Sequence, residues 1–264
     1  MRILKKDGIW KYRTISFNNQ TYATIVLNAD VREFIVPTSM AGYDIYRVAA
    51  IRDKKMKVFL DKKNSNVFSL DVGNEESIVV LTSLNPQSYS NGLENRGKDW
   101  PCTSIVNKRI CVPSYSVEYY NYMYHKYLPR TSEFIPANVS YMLNYDYESD
   151  SIYIWENVFV EEQAYEYFLK KNNNNNPTAE ELSDYISLHE YIYIDESDYN
   201  GGYYWVDYLE DGESINTCPV NPQREGFVFT GWYIDNNCSQ LFDFDSWKYS
   251  GSELILYAGW EINN

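Results

Sequence analysis

Arg224-Glu225-Gly226-Phe227-Val228-Phe229-Thr230-Gly231-Trp232-Tyr233, then Phe242-Asp243-Phe244, then Leu254-Ile255-Leu256-Tyr257-Ala258-Gly259-Trp260 decide the fold of the carboxyl-terminal part of this chain. In the last segment Leu254, Leu256, Ala258 and Trp260 alternate with Ile255, Tyr257 and Gly259. That is the period of a strand with one heavy face. Phe227 to Tyr233 reads as a second strand, and Gly231 beside Trp232 lets backbone approach closely under a large ring. Pro219 and Pro222 upstream force an extended connection between strands. So short a segment closes a core only with large aromatics, each burying about 150–250 Å². Every conspicuous residue is accounted for by packing, and none requires a catalytic role.

Moving outward, Asn200-Gly201-Gly202, Tyr203-Tyr204-Trp205-Val206-Asp207-Tyr208 and Gly212-Glu213-Ser214-Ile215 precede the proline pair. With them, the segment resembles the Listeria–Bacteroides repeat, the B-repeat of internalin-type surface proteins, over about sixty residues. The residues that carry the resemblance are Gly226, Phe227, Phe229, Gly231, Trp232, Tyr233, Phe242, Phe244, Leu256, Tyr257 and Trp260. Phe227 stands for the usual Tyr and Gly259 for a common Lys, departures that leave the packing logic untouched. The resemblance implies a β-grasp-like, four-stranded unit.

Asn138-Val139-Ser140-Tyr141-Met142-Leu143-Asn144-Tyr145 resembles the first strand of such repeats, which is usually followed at once by the Asn-Gly-Gly segment. Here that element waits until Asn200, so an insertion is expected in the first hairpin, with the second domain over 138–264. The inserted residues, about 160–190, read as a helical hairpin. Ala164, Tyr165, Phe168 and Leu169 share one side of the first helix, with Glu161 and Glu162 at its start and Lys170 and Lys171 at its end. Asn172–Asn176 reads as a solvated turn. Thr178 and Glu181 make a capping box before Leu182, Tyr185, Ile186 and His189.

The first half carries a repeat of short β-prone runs centred on Ile35, Val58, Val79, Ile110 and Ile135. The steps are 23, 21, 31 and 25 residues, and the long one contains the Asn-, Ser- and Gly-rich stretch Asn85–Trp100. Three steps fit the ~20–29-residue period of leucine-rich repeats, whose rungs must stack to share a core. Ala23–Leu27, Phe34–Pro37 and Gly42–Val48 resemble the opening repeat of BspA-like leucine-rich repeats, and Arg109–Tyr120 resembles their closing repeat. A domain over 1–137 is expected, capped by a helix at about 116–128. Ser116 would accept its first N–H bonds, and Val117, Tyr120, Tyr124 and Tyr127 would line its packed face. The fold class expected for the whole chain is mainly β with some α: a short leucine-rich solenoid plus the β-grasp-like repeat with its helical insertion.

Composition bounds function. The 264 residues hold 23 Lys+Arg against 37 Asp+Glu, a formal charge of −14. That excess repels phosphate backbones and anionic lipid, so neither nucleic-acid binding nor membrane insertion is expected. No apolar run approaches the ~18 residues that span a bilayer. Met1–Arg13 lacks the apolar core of a secretion signal, so for a surface protein the natural start is expected upstream or trimmed away. Aromatics at 17%, with 27 tyrosines, mark a chain that folds.

Cys102, Cys111, Cys218 and Cys238 lack metal-site spacing, and His125 and His189 read as packing or helix-end residues, so no metal, cofactor or catalytic residue is assigned. Cys102/Cys111 and Cys218/Cys238 could each bridge neighbouring strands; free thiols are expected, since nothing else marks a disulfide scaffold. Leu128–Ser132 nearly spells a wall-sorting signal but has Ser where Gly is required. Asp195–Asp198 and Asp243/Asp245 lack the spacing of a calcium loop and read as solvated acids. The expected function is a non-enzymatic, monomeric module of a bacterial cell-surface protein, extracellular, for adhesion, protein–protein interaction or spacing of a binder. The alternative is glycan binding on platforms formed by Tyr119–Tyr127 and Tyr199–Tyr208.

Overall fold

A computed structural model describes residues 5–17, 19–50, 53–64, 67, 69–83, 109–117, 120–121, 134–145, 152–156, 178–181, 191–195 and 202–263. The chain divides into two compact units, the first over Met1–Leu81 and the second over Ile135–Asn264, with parts of the intervening stretch assigned to each. The first unit contains β1 (Lys5–Asp7), β2 (Trp10–Phe17), β3 (Gln20–Leu27), β4 (Glu33–Ile35), β5 (Ser39–Met40), β6 (Tyr43–Ala49), β7 (Lys57–Leu60), β8 (Ser69–Asp71) and β9 (Ile78–Leu81). Next come β10 (Arg109–Val112) and β11 (Phe134–Pro136), then β12 (Val139–Met142), β13 (Ile152–Glu156), β14 (Tyr191–Asp195), β15 (Tyr203–Asp207), β16 (Phe227–Tyr233) and β17 (Leu254–Ile262).

Two parallel ladders build the first unit. In one, β3, β6 and β8 run parallel, with Ile25 beside Val48 and Val48 beside Leu70. In the other, β4, β7 and β9 run parallel, with Phe34 beside Val58 and Val58 beside Val79. Ile25, Val48, Leu70, Val58 and Val79 are all fully buried. Ile78-Val79-Val80-Leu81 is buried on both faces, which is why it reads as an unbroken apolar run rather than an alternating one. The Trp10 and Phe34 rings meet edge-on at 5.2 Å, joining the first ladder to the second. β1 and β2 extend the first sheet through antiparallel pairing with β3.

This architecture corrects the expected fold class. Among the described residues the rungs β3/β4, β6/β7 and β8/β9 each carry two strands, one for each ladder, where a leucine-rich repeat places a strand and a helix. The molecule is nearly all β, in several sheets. Helical backbone among the described residues is confined to short pieces: Lys62–Asn64, Ser114–Ser116 with Val117, Tyr120 and Asn121 beyond it, and residues 179–181. Ser116 does not cap a helix; its hydroxyl donates back to the Pro113 carbonyl at 3.2 Å. Tyr120 is fully buried and donates its hydroxyl to the Ser83 carbonyl at 2.6 Å. The rest of the expected cap helix lies outside the described residues. No helix among the described residues is long and apolar enough to cross a membrane.

The helical-hairpin insertion is corrected likewise. What the described residues show between β12 and β15 is the antiparallel pair β13 and β14, with Ile154 opposite Tyr193. Thr178 and Glu181 do exchange capping-box bonds: the Thr178 amide donates to the Glu181 carboxylate at 2.8 Å, and the Glu181 amide to the Thr178 hydroxyl at 3.1 Å. The remainder of both expected helices, with His189, lies outside the described residues, as does His125.

The second unit's sheet runs β15-β12-β17-β16. β12 lies parallel to β17, with Tyr141 beside Leu256, and antiparallel to β15, with Tyr141 opposite Trp205. The stretch beginning at Asn138 therefore supplies a central strand of this sheet. The Asn138 side chain acts as one more strand peptide, donating to the Leu209 carbonyl at 2.8 Å and accepting from the Leu209 amide at 2.9 Å. Among the described residues no helix lies in the segment 202–263, so the α element of a β-grasp is not seen there.

Candidate functional site

The densest constellation of signature residues sits on β16 and β17, which pair antiparallel with Phe229 opposite Trp260 and Trp232 opposite Ala258. The register slips between Phe229 and Gly231. Gly231 adopts φ 144°, and a β-carbon there would stand 2.6 Å from Leu241 Cδ1. The bulge turns Trp232 inward, where it is 5% exposed. Its ring meets Tyr141 edge-on at 5.0 Å and Phe229 at 5.2 Å, and lies stacked with Tyr204 at 6.1 Å. Leu256 and Ala258, both fully buried, complete this face.

Trp260 closes the other end. Its Nε1–H donates to the Leu143 carbonyl at 2.7 Å, and its ring meets Phe229 and Tyr145, each at 5.8 Å. The Arg224 guanidinium lies 3.7 Å from the Phe227 ring centre, 4.3 Å from that of Tyr145 and 5.9 Å from that of Trp260. Arginine is suited to this position because its planar, weakly hydrated cation stacks on ring faces. Gly226, before β16, turns the chain at φ 76°, a conformation that side chains with a β-carbon rarely adopt. Phe242 is buried against Phe244 at 4.7 Å and Trp247 at 5.5 Å. Tyr233 and Tyr257, opposite one another on β16 and β17, are half-buried. The signature residues thus form an inner group around Trp232, a rim around Trp260 and Arg224, and a satellite at Phe242.

Tyr141 lies beside the strand that holds Trp260, as the sequence leads one to expect; two other contributors and the burial of the Tyr141 hydroxyl were not singled out. Gly259, taken as a neutral replacement, is buried: a β-carbon there would come 2.3 Å from the Tyr233 ring and 2.4 Å from the Thr230 hydroxyl. Its glycine identity inside a strand was the available signal. Asn144, at φ 54°, places its amide nitrogen 3.0 Å from the Asn236 carbonyl, 3.1 Å from the Ala258 carbonyl and 3.4 Å from Cys238 Sγ. It ties the loop after β16 to β17, and no local pattern announces contacts across roughly a hundred residues. Tyr141 is fully buried, and its hydroxyl has no hydrogen-bond partner among the described residues. Burial, then the neighbouring Cys218 and Asp207, hold that phenol well above its ordinary pKa.

The acids of this unit shape turns. Asp235 accepts from the amides of Asn237, Ser239 and Gln240 and from the Ser239 hydroxyl, which holds its carboxyl below the usual range. Asp243 accepts from the Ser246 hydroxyl at 2.6 Å and the Asp245 amide at 3.1 Å, with the same consequence. Among the described residues no group of three His, Cys, Asp or Glu side chains converges as a metal site would require. Cys111, Cys218 and Cys238 are free thiols, so the Cys218/Cys238 bridge does not form. Cys102 lies outside the described residues. Of the two tyrosine clusters considered as sugar platforms, Tyr120 and Trp205 are buried, and Tyr204 is stacked with Trp232 while its hydroxyl donates to the Val220 carbonyl at 2.6 Å.

Comparison with known proteins agrees with this geometry. Two proteins of Evansella cellulosilytica, named "Putative membrane protein" and "Putative Gly-rich membrane protein", are 48% and 46% identical over 54 residues, 20% of this chain. The matched part is 8% of the first and 6% of the second, so the chain spans less than a tenth of either relative. A family model also matches, with limits that enclose β15, β16 and most of β17. Residues 197–259 are a Listeria–Bacteroides repeat domain.

Proposed function

We propose that this chain is a non-enzymatic module of a bacterial cell-surface protein, exposed outside the cell, that serves in adhesion or other protein–protein interaction, or in spacing such a binder. The observation that carries the proposal is how the repeat uses its signature side chains. Trp232, Phe229, Tyr141 and Trp260 pack on one another, and Arg224 is stacked among rings. Cys218 and Asp207 neighbour Tyr141, but among the described residues no group of three His, Cys, Asp or Glu side chains converges there. Meanwhile Val228 and Ile255 stand exposed on the same face of β16 and β17, the kind of apolar surface that protein interfaces bury. The membrane-associated names of the two relatives, within which the matched segment is a small part, fit a repeat carried by a large envelope protein.

The test is to immobilise the purified chain and present extracellular proteins and a glycan array to it. The expected result is saturable binding of a protein that weakens when Val228 and Ile255 are both changed to Ser. Binding confined to neutral glycans, or turnover of a glycan or peptide substrate, would overturn the proposal.

A further inference from the structure

We infer that the outer face of the sheet β1-β2-β3-β6-β8 binds a sulfated polysaccharide through Lys6, Lys11, Arg13 and Arg47. The inference does not depend on the interaction role proposed above. Trp10, Ile25 and Leu27 are buried, and strand alternation sets Lys11 and Arg13 on the face opposite Trp10. The pairing registers then write two rows across that face. One runs Lys6, Lys11, Val26, Ala49, Asp71; the other runs Arg13, Thr24, Arg47, Ser69. They hold four cations and one acid, and that acid, Asp71, lies 3.9 Å from Arg47.

Lys6 and Lys11 are both exposed and stand directly opposite one another. Like charges so placed oppose strand pairing. The chain has 37 acidic residues, yet Lys6, Lys11 and Arg13 form no ion pair or side-chain hydrogen bond among the described residues. A basic stripe left unneutralised in a chain of net charge −14 is a site for an external anion. The distant acids do not forbid it, because exposed charges are screened beyond about 8 Å at physiological ionic strength.

The character of the two rows selects the anion. Val26 and Ala49 are their only apolar members and are half-buried, so a folded protein would find no apolar centre to anchor on. The rows contain no aromatic ring, and Tyr22 in the next row of that face is buried, so single-stranded nucleic acid would find no free ring there on which to stack. A flexible, hydrophilic polymer bearing closely spaced sulfates needs neither and gains from releasing its counterions to clustered lysine and arginine.

The full chain is passed over immobilised heparin at physiological ionic strength, beside the variant K6Q/K11Q/R13Q and the control K5Q. Wild type and K5Q are expected to be retained and to elute with salt, although an acidic protein of pI 4.6 ordinarily flows through a sulfated matrix. The triple variant is expected to lose retention, with the slope of log affinity against log salt falling by about two to three for the three cations removed. Unretained wild type, or equal retention of the triple variant, would overturn the inference. So would equal binding to desulfated heparin or to single-stranded DNA. Should the triple variant melt early, K6R/K11R/R13K decides: kept retention supports the site, and lost retention overturns it.

Discussion

The two units solve the same problem, closing a core with few residues, in opposite ways. The first stacks aliphatic rungs in register, so that Val48 is shared by the strands on either side of it and Val58 likewise in the second ladder. In the second, the four-stranded sheet has no neighbouring rung among the described residues, so it fills its face with rings. It also fixes its loops with long-range bonds such as Asn144 to Ala258 and Trp260 to Leu143. Shared cores tolerate the loss of one contact better than unshared ones, because in a stacked array each rung contacts only its neighbours. A lone aromatic core concentrates its stability in a few side chains.

That contrast can be broken most forcefully at Trp232. Trp232→Ala is expected to cost about 3–5 kcal/mol, since the site between Tyr141, Phe229 and Tyr204 cannot collapse to fill the void. An unchanged denaturant midpoint for this variant would contradict the packing account. Leu70→Ala in the first unit is the matching test, at about 2–5 kcal/mol. Its damage, read by amide hydrogen exchange, should concentrate in β6 and β8, and loss spread evenly over all strands would deny the rung-by-rung picture.

Gly259→Ala sharpens the comparison further. The added methyl must displace the Tyr233 ring and the Thr230 hydroxyl, and overpacking of this kind costs about 1–3 kcal/mol. A variant as stable as wild type would show that ring to be free to move. Smallest of all is Tyr141→Phe, which removes a buried hydroxyl that has no partner among the described residues and should change stability at neutral pH by no more than about 1 kcal/mol. Its signature lies in alkali. The folded phenol titrates above its unfolded value, near 10, so its contribution is intact below that pH. Above it the unfolded chain ionises first and stability falls. The Phe variant should lose that component of alkaline unfolding, and identical alkaline curves would refute the assignment.

The sequence was informative where each residue's role is set by its near neighbours. The alternation of Leu254 to Trp260, the run Phe227 to Tyr233 and the Thr178/Glu181 box all appear as read, because period and capping are local properties. The five repeated runs are strands for the same reason. Reading failed where the connecting segments had to be assigned. A step of twenty-odd residues is compatible with strand plus helix or with two strands, and nothing in Tyr43–Ala49 or Ser69–Asp71 forbids either until each finds a partner rung. The resemblance to a helix-bearing repeat tipped the choice the wrong way.

Gly259, Asn144 and the burial of the Tyr141 hydroxyl were missed for a related reason. Gly259 matters through a ring on the neighbouring strand, Asn144 through acceptors that fold back to it from far along the chain, and Tyr141 through what surrounds its hydroxyl. The basic stripe on the first sheet belongs with them. Lys6, Lys11, Arg13 and Arg47 are unremarkable in the sequence and become a cluster only when β1, β2, β3 and β6 are laid side by side. The amino-acid order alone determined that the five repeated runs and the runs around Trp232 and Trp260 are strands, since hydrophobic period and side-chain volume are properties of a segment. Which ladder each strand joins, which glycine lacks room and which charges face one another were decided by the folded molecule, because those are properties of pairs that only the tertiary structure brings together.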